Sequence, residues 1–90
     1  MSVWEVIFSD TAQTQIAGLD KSIRVRVLDK TLWLSENFDQ IVPIPLIGNL
    51  LGFYKLRVGD YRVVYKFDRE QRVIYIQLVE HRSKVYVKQN

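Results

Sequence analysis

The sequence predicts an α+β domain: a largely antiparallel twisted sheet with an N-terminal helical pair packed on one face, in the order β-α-α-β-β-β. Three observations carry that prediction. An apolar stretch opens the chain, two segments of helical spacing follow, and the second half alternates apolar and polar residues with period two. Ninety residues support one hydrophobic core, so residues 1–90 read as a single domain. Hydrophobic residues make up 48% and aromatic residues 12%, which favours a packed fold over disorder.

Val3 to Phe8 reads as the first strand. Ser9 and Asp10 both offer helix N-caps, and Asp10 with Gln13 three residues on resembles a capping box. The first helix runs to about Ala17 and stops at Gly18. Asp20 can cap a second helix reaching about Phe38. Ile23-Arg-Val-Arg-Val27 alternates like a strand, whereas Ile23, Val27, Leu28, Thr31, Leu34 and Phe38 match helical spacing. Lys, Leu, Trp and Glu beyond residue 28, with no turn signal until Asn37, decide for helix. Residues 39–51 form a connector in which Pro43 and Pro45 forbid regular helix. Its many aliphatic residues predict packing across the domain.

Gly52 to Lys66 reads as a hairpin turned by Gly59-Asp60, because glycine at the first central position suits a two-residue type II′ turn. That turn sets Val58 opposite Tyr61, Arg57 opposite Arg62, Leu56 opposite Val63 and Lys55 opposite Val64. Tyr54, Leu56, Val58, Tyr61, Val63, Tyr65 and Phe67 then share the core face, and Lys55, Arg57, Arg62 and Lys66 share the other. Trp4 and Trp33 are assigned to packing. Asp68 to Gln71 makes a polar turn, and Val73 to Glu80 the last strand. A four-residue turn would present Ile74, Ile76 and Leu78 to the helices and put His81 on the side of the cations.

Charge is unevenly placed along a chain of net charge +3. Residues 53–90 hold nine basic and four acidic side chains; residues 1–52 hold four and six. Two arginines facing each other across a ladder repel. A cationic patch built against its own electrostatics implies an anionic ligand, with nucleic acid the leading partner class. A merely solvated basic face is the alternative. The absence of cysteine excludes disulfides and thiolate metal sites. With one histidine and scattered acids, no metal or other cofactor is expected. No signal-like or membrane-length apolar run occurs, so a soluble cytoplasmic protein without a membrane partner is expected.

Metal-free RNA cleavage asks for less than a metal site does. The 2′-hydroxyl already stands beside the scissile phosphate, and the protein must orient it, move protons and stabilise charge. Lys55, Arg57 and Arg62 supply cations. His81 is either a proton-transfer group or a structural histidine at a strand end. Tyr86 either stacks on a base or moves a proton, or anchors the C-terminus to the core.

Leu46-Ile-Gly-Asn-Leu-Leu-Gly-Phe-Tyr-Lys-Leu-Arg-Val-Gly-Asp-Tyr-Arg-Val-Val-Tyr65, followed by Val79-Glu-His-Arg-Ser-Lys-Val-Tyr86, closely resembles the RelE/ParE superfamily of toxins from bacterial toxin–antitoxin modules. The resemblance to the RelE branch implies a ribosome-dependent endoribonuclease that cuts mRNA in the A site without a metal and inhibits translation. It implies that Lys55 and Arg57 supply cations, that Arg62 stabilises the phosphate, and that His81, Arg82 and Tyr86 complete the catalytic set. Lys66 and Lys84 join Lys55, Arg57 and Arg62 in binding RNA. Implied partners are a cognate antitoxin, the ribosome and mRNA, with promoter DNA reached only through the antitoxin. Two departures stand out: Ile47 where many relatives have lysine, and Glu80 in place of the usual glycine, a negative charge beside the site. A ParE-like, non-enzymatic inhibitor of DNA gyrase and a decayed module that only binds antitoxin are the alternatives.

Overall fold

The structure, a computed structural model, describes residues 3–83. Strand β1 (Glu5–Phe8) leads into helices α1 (Asp10–Ala17) and α2 (Lys21–Asn37), and a 3-10 turn follows at Phe38–Gln40. A two-residue strand β2 (Ile44–Pro45) precedes β3 (Tyr54–Val58), β4 (Tyr61–Asp68) and β5 (Val73–His81). They form a five-stranded sheet ordered β1-β5-β4-β3-β2. Pairing is antiparallel throughout except between β1 and β5, which run parallel. The predicted α+β architecture is therefore present, with β2 as an added edge strand. Pro45 fits that edge, where a missing N–H costs no inner ladder bond.

Ser9, not Asp10, caps α1. Its extended backbone (φ −64°, ψ 161°) lets the hydroxyl accept the Ala12 N–H at 3.0 Å. Asp10 is the first helical residue, where its charge suits the positive helix end. Gln13 reaches back to donate to the Phe8 carbonyl, so the predicted Asp10 box is absent. Asp20 precedes α2 without a side-chain cap bond.

Helix α2 buries Val27, Thr31 and Leu34, with Ile23 packed beside them and Phe38 just beyond. Helical periodicity won over the local strand-like alternation because one face of this segment covers the sheet. Two residues expected to pack escape that face. Leu28 is 41% exposed, and Trp33, expected in the core, is 39% exposed with the Lys30 ammonium 4.2 Å from its ring.

Trp4, Phe38, Tyr54, Tyr65 and Phe67 form an aromatic cluster over one end of the sheet. Burial pushes the Tyr65 phenol up to about 12, with the Tyr54 hydroxyl adding to the shift. At the rim, Asp39 accepts the Trp4 indole N–H at 3.1 Å and an Arg72 N–H at 2.8 Å. The connector differs from its prediction: Leu46 is buried, but Val42, Ile44, Ile47 and Leu51 are exposed. Apolar composition alone did not distinguish residues that pack from residues that border solvent.

Candidate nucleic-acid interface

The hairpin has the register read from its turn. Val58 faces Tyr61, Arg57 faces Arg62, Leu56 faces Val63 and Lys55 faces Val64. Gly59 takes φ +60°, the left-handed value that a first central residue needs here. On the face away from the helices the side chains form rows across β3, β4 and β5. Arg57, Arg62 and Glu80 make one row; Lys55, Val64 and Leu78 make the next. Lys66 lies further along β4, with its ammonium 5.9 Å from the Phe53 and Tyr75 rings. Arg57 and Lys66 are exposed, while Lys55 and Arg62 are half-buried. The Arg62 Nε is buried without a hydrogen-bond partner among the described residues.

The end of β5 corrects the sequence reading. Ile74 and Ile76 pack into the core beneath the helices, fully buried as expected. Tyr65 then pairs with Ile76 while Val64 pairs with Leu78, which leaves Gln77 as one extra residue in β5. This bulge exchanges the faces of everything after it. Leu78 and Glu80 move to the cation face, Val79 enters the core, and His81 pairs with Tyr61 on the helix side. The expectation that His81 shares a face with Lys55, Arg57 and Arg62 therefore fails.

Helix α1 holds the bulge. The Ser9 hydroxyl donates to the Gln77 carbonyl at 2.9 Å, and the Gln15 side-chain oxygen accepts the Val79 N–H at 2.7 Å. Beyond Ile76, β5 has lost β1 as a neighbour, and these two side chains stand in for the ladder.

His81 stands edge-on to Tyr61, with ring centroids 5.1 Å apart. Its Nδ1 accepts the Ser83 N–H at 3.1 Å, so the neutral ring carries its proton on Nε2. Tyr61 and His81 line a cleft of about 190 Å³ together with Ile23, Arg26, Val58 and Asp60. No local pattern marks Arg26, because the contact between α2 and the hairpin tip is wholly tertiary. Arg82 is exposed; its backbone N–H donates to the Asp60 carbonyl at 2.8 Å, and its guanidinium lies 4.0 Å from the Asp60 carboxylate. Lys84 and Tyr86 lie outside the described residues. Among the described residues no three His, Asp or Glu side chains converge to hold a metal ion, and no helix is long and apolar enough to cross a membrane.

A family model described as the ParE toxin of type II toxin–antitoxin systems, parDE, matches residues 6–86. Toxin RelG of Mycobacterium tuberculosis is 29% identical over 83 residues, 92% of this chain and 95% of that protein. A chain of the RelBE2 toxin–antitoxin complex from the same organism superposes with a TM-score of 0.80 at 31% identity, covering 92% of this chain and 95% of that one. The archaeal RelE–RelB complex from Pyrococcus horikoshii OT3 gives 0.73 at 23% identity, over 92% of this chain and 99% of its counterpart. The last of these speaks for the fold alone. With the family model spanning β1 to beyond β5, and a RelBE2 chain superposing over 92% of this one at 31% identity, this chain belongs to the RelE/ParE superfamily of type II toxin–antitoxin toxins.

Proposed function

We propose that the protein is the toxin of a toxin–antitoxin module, an endoribonuclease that cuts mRNA in the ribosomal A site by metal-free attack of the 2′-hydroxyl and so inhibits translation. The observation that carries this reading is Arg62. Its Nε is a buried donor with no partner among the described residues, at the centre of the row Arg57–Arg62–Glu80. An unpaired buried donor costs about 1–3 kcal/mol, which a phosphate oxygen would recover. The same anion would relieve the repulsion between Arg57 and Arg62. Charge developing on the phosphate would then be met by cations already in place, with Lys55 in the next row.

Lys66, Arg82 and Lys84 would guide the RNA backbone, and Tyr86 would stack on a base. His81, on the helix side of β5, is given no step on the cation face. Relatives solved as complexes with their antitoxins support a cognate antitoxin here, one whose flexible segment would cover the basic face. Promoter DNA would be reached only through that antitoxin.

The test is to induce the protein in cells and map mRNA 5′ ends on ribosomes. Cuts in the A site are expected, and Arg62→Ala should lower cleavage by roughly 10²–10³-fold in a protein that still unfolds cooperatively. A fully active Arg62→Ala variant removes Arg62 from the site. The description of the matching family model favours one other reading, a ParE-like inhibitor of DNA gyrase. Intact mRNA alongside double-strand DNA breaks would establish it, and a folded protein without any effect on growth would point to a module reduced to antitoxin binding.

A further inference from the structure

Cleavage at the cation row needs a group that takes the proton of the 2′-hydroxyl. Arginine and lysine are donors only near neutral pH. Among the described residues, the carboxylates that β3, β4 and β5 present on this face are Glu80 and Asp68. Asp68 stands six residues along β4 from Arg62, roughly 20 Å away at strand rise. His81 is on the other face. Glu80 is the direct ladder partner of Arg62, itself the partner of Arg57, and is only 7% exposed.

We propose that Glu80 accepts the 2′-hydroxyl proton of RNA held by Arg57 and Arg62, an inference that rests on the ribonuclease reading above. The placement is a product of the bulge: without the extra residue Gln77, Glu80 would point toward the helices and His81 toward the cations. Among the described residues, the charged groups that the ladder and the sequence place nearest Glu80 are Arg62 on β4, Arg57 beyond it on β3, Lys55 in the next row and Arg82 two residues on. Helix α1, on the other edge of β5, meets the strand through the neutral Ser9 and Gln15.

The step balances without a further reagent. The Glu80 carboxylate takes the proton, the 2′-oxygen bonds to phosphorus, and the bond from phosphorus to the 5′-oxygen breaks. That oxygen takes a proton from solvent and leaves as a 5′-hydroxyl, and the other fragment ends in a 2′,3′-cyclic phosphate. Glu80 then returns its proton to water. Arg57 and Arg62 stabilise the charge on the non-bridging oxygens throughout.

Single-turnover cleavage of a defined mRNA on ribosomes by the wild type, Glu80→Gln and Glu80→Asp, from pH 6 to 8.5, tests the assignment. Glu80→Gln should lower the rate by roughly 10²–10⁴-fold, with KM changed only a few-fold. Its residual rate should climb about tenfold per pH unit as hydroxide replaces the missing base. Glu80→Asp keeps a carboxylate and should recover part of the rate with the wild-type pH profile. It also serves as the readout should glutamine prevent folding, in which case a rate equal to wild type counts against the proposal. A Glu80→Gln variant at wild-type rate overturns it. So does a slower variant with the wild-type pH profile and raised KM, which would make Glu80 a positioning residue for Arg62. Wild-type protein that leaves ribosome-bound mRNA intact would instead defeat the ribonuclease reading itself.

Discussion

Replacing Gln15 with leucine removes the acceptor of the Val79 N–H while keeping a side chain of similar volume. That bond is 2.7 Å long and part-buried, on the stretch of β5 that has no strand on its α1 side. The leucine cannot accept, so the N–H is left unpaired against α1, at a cost of about 1–3 kcal/mol. For a domain of this size each kcal/mol lowers the melting temperature by roughly 4–8 °C. A loss of about 2 kcal/mol therefore shifts the midpoint by roughly 8–16 °C. Urea titration followed by circular dichroism gives the free energy, and amide hydrogen exchange gives the local effect. The Val79 amide should lose protection beyond what the global destabilisation explains. Gln13→Leu is the control, since Gln13 is exposed and its side chain donates to the Phe8 carbonyl at the surface; its effect should stay within about 0.5 kcal/mol. If Gln15→Leu matches that control and Val79 stays protected, α1 does not hold the bulge and the face assignment of Glu80 loses its support.

The two tryptophans should respond very differently to truncation. Trp4→Ala, at 3% exposure in the aromatic cluster, should cost about 3–5 kcal/mol, whereas Trp33→Ala should cost less than about 1 kcal/mol; equal losses by urea titration would contradict the burial pattern. Acid stability should depend on Asp39. Hydrogen bonds from Arg72 and then from Trp4 hold its carboxyl below the ordinary aspartate value. A folded-state pKa lowered in this way contributes stability that is complete above the unfolded value. That contribution disappears as pH falls through the folded value, here below about pH 4. Asp39→Asn should therefore flatten the acid limb of the stability profile in that window and leave its shape near pH 7 unchanged, as read by thermal melts from pH 2.5 to 7.

What the sequence disclosed, and what it withheld, follows from how far apart the deciding residues lie. A two-residue turn with Gly59 at its first position fixes the register of both flanking strands, so the pairing of Arg57 with Arg62 could be read locally. The helical identity of α2 was legible for a similar reason, since its apolar spacing repeats over four turns. The bulge had no such local signal. Gln77 is an ordinary strand residue, and its extra place in β5 is held by Ser9 and Gln15, 68 and 64 residues earlier in the chain. Because strand side chains alternate with period two, that single insertion inverted the reading of the whole strand end. The consequence is chemical as well as geometric. The sequence motif Glu-His-Arg offers a carboxylate and an imidazole side by side, and only the tertiary contact with α1 decides which of them meets the arginines. A helix that touches no expected site residue on the cation face thus sets which proton acceptor that face presents.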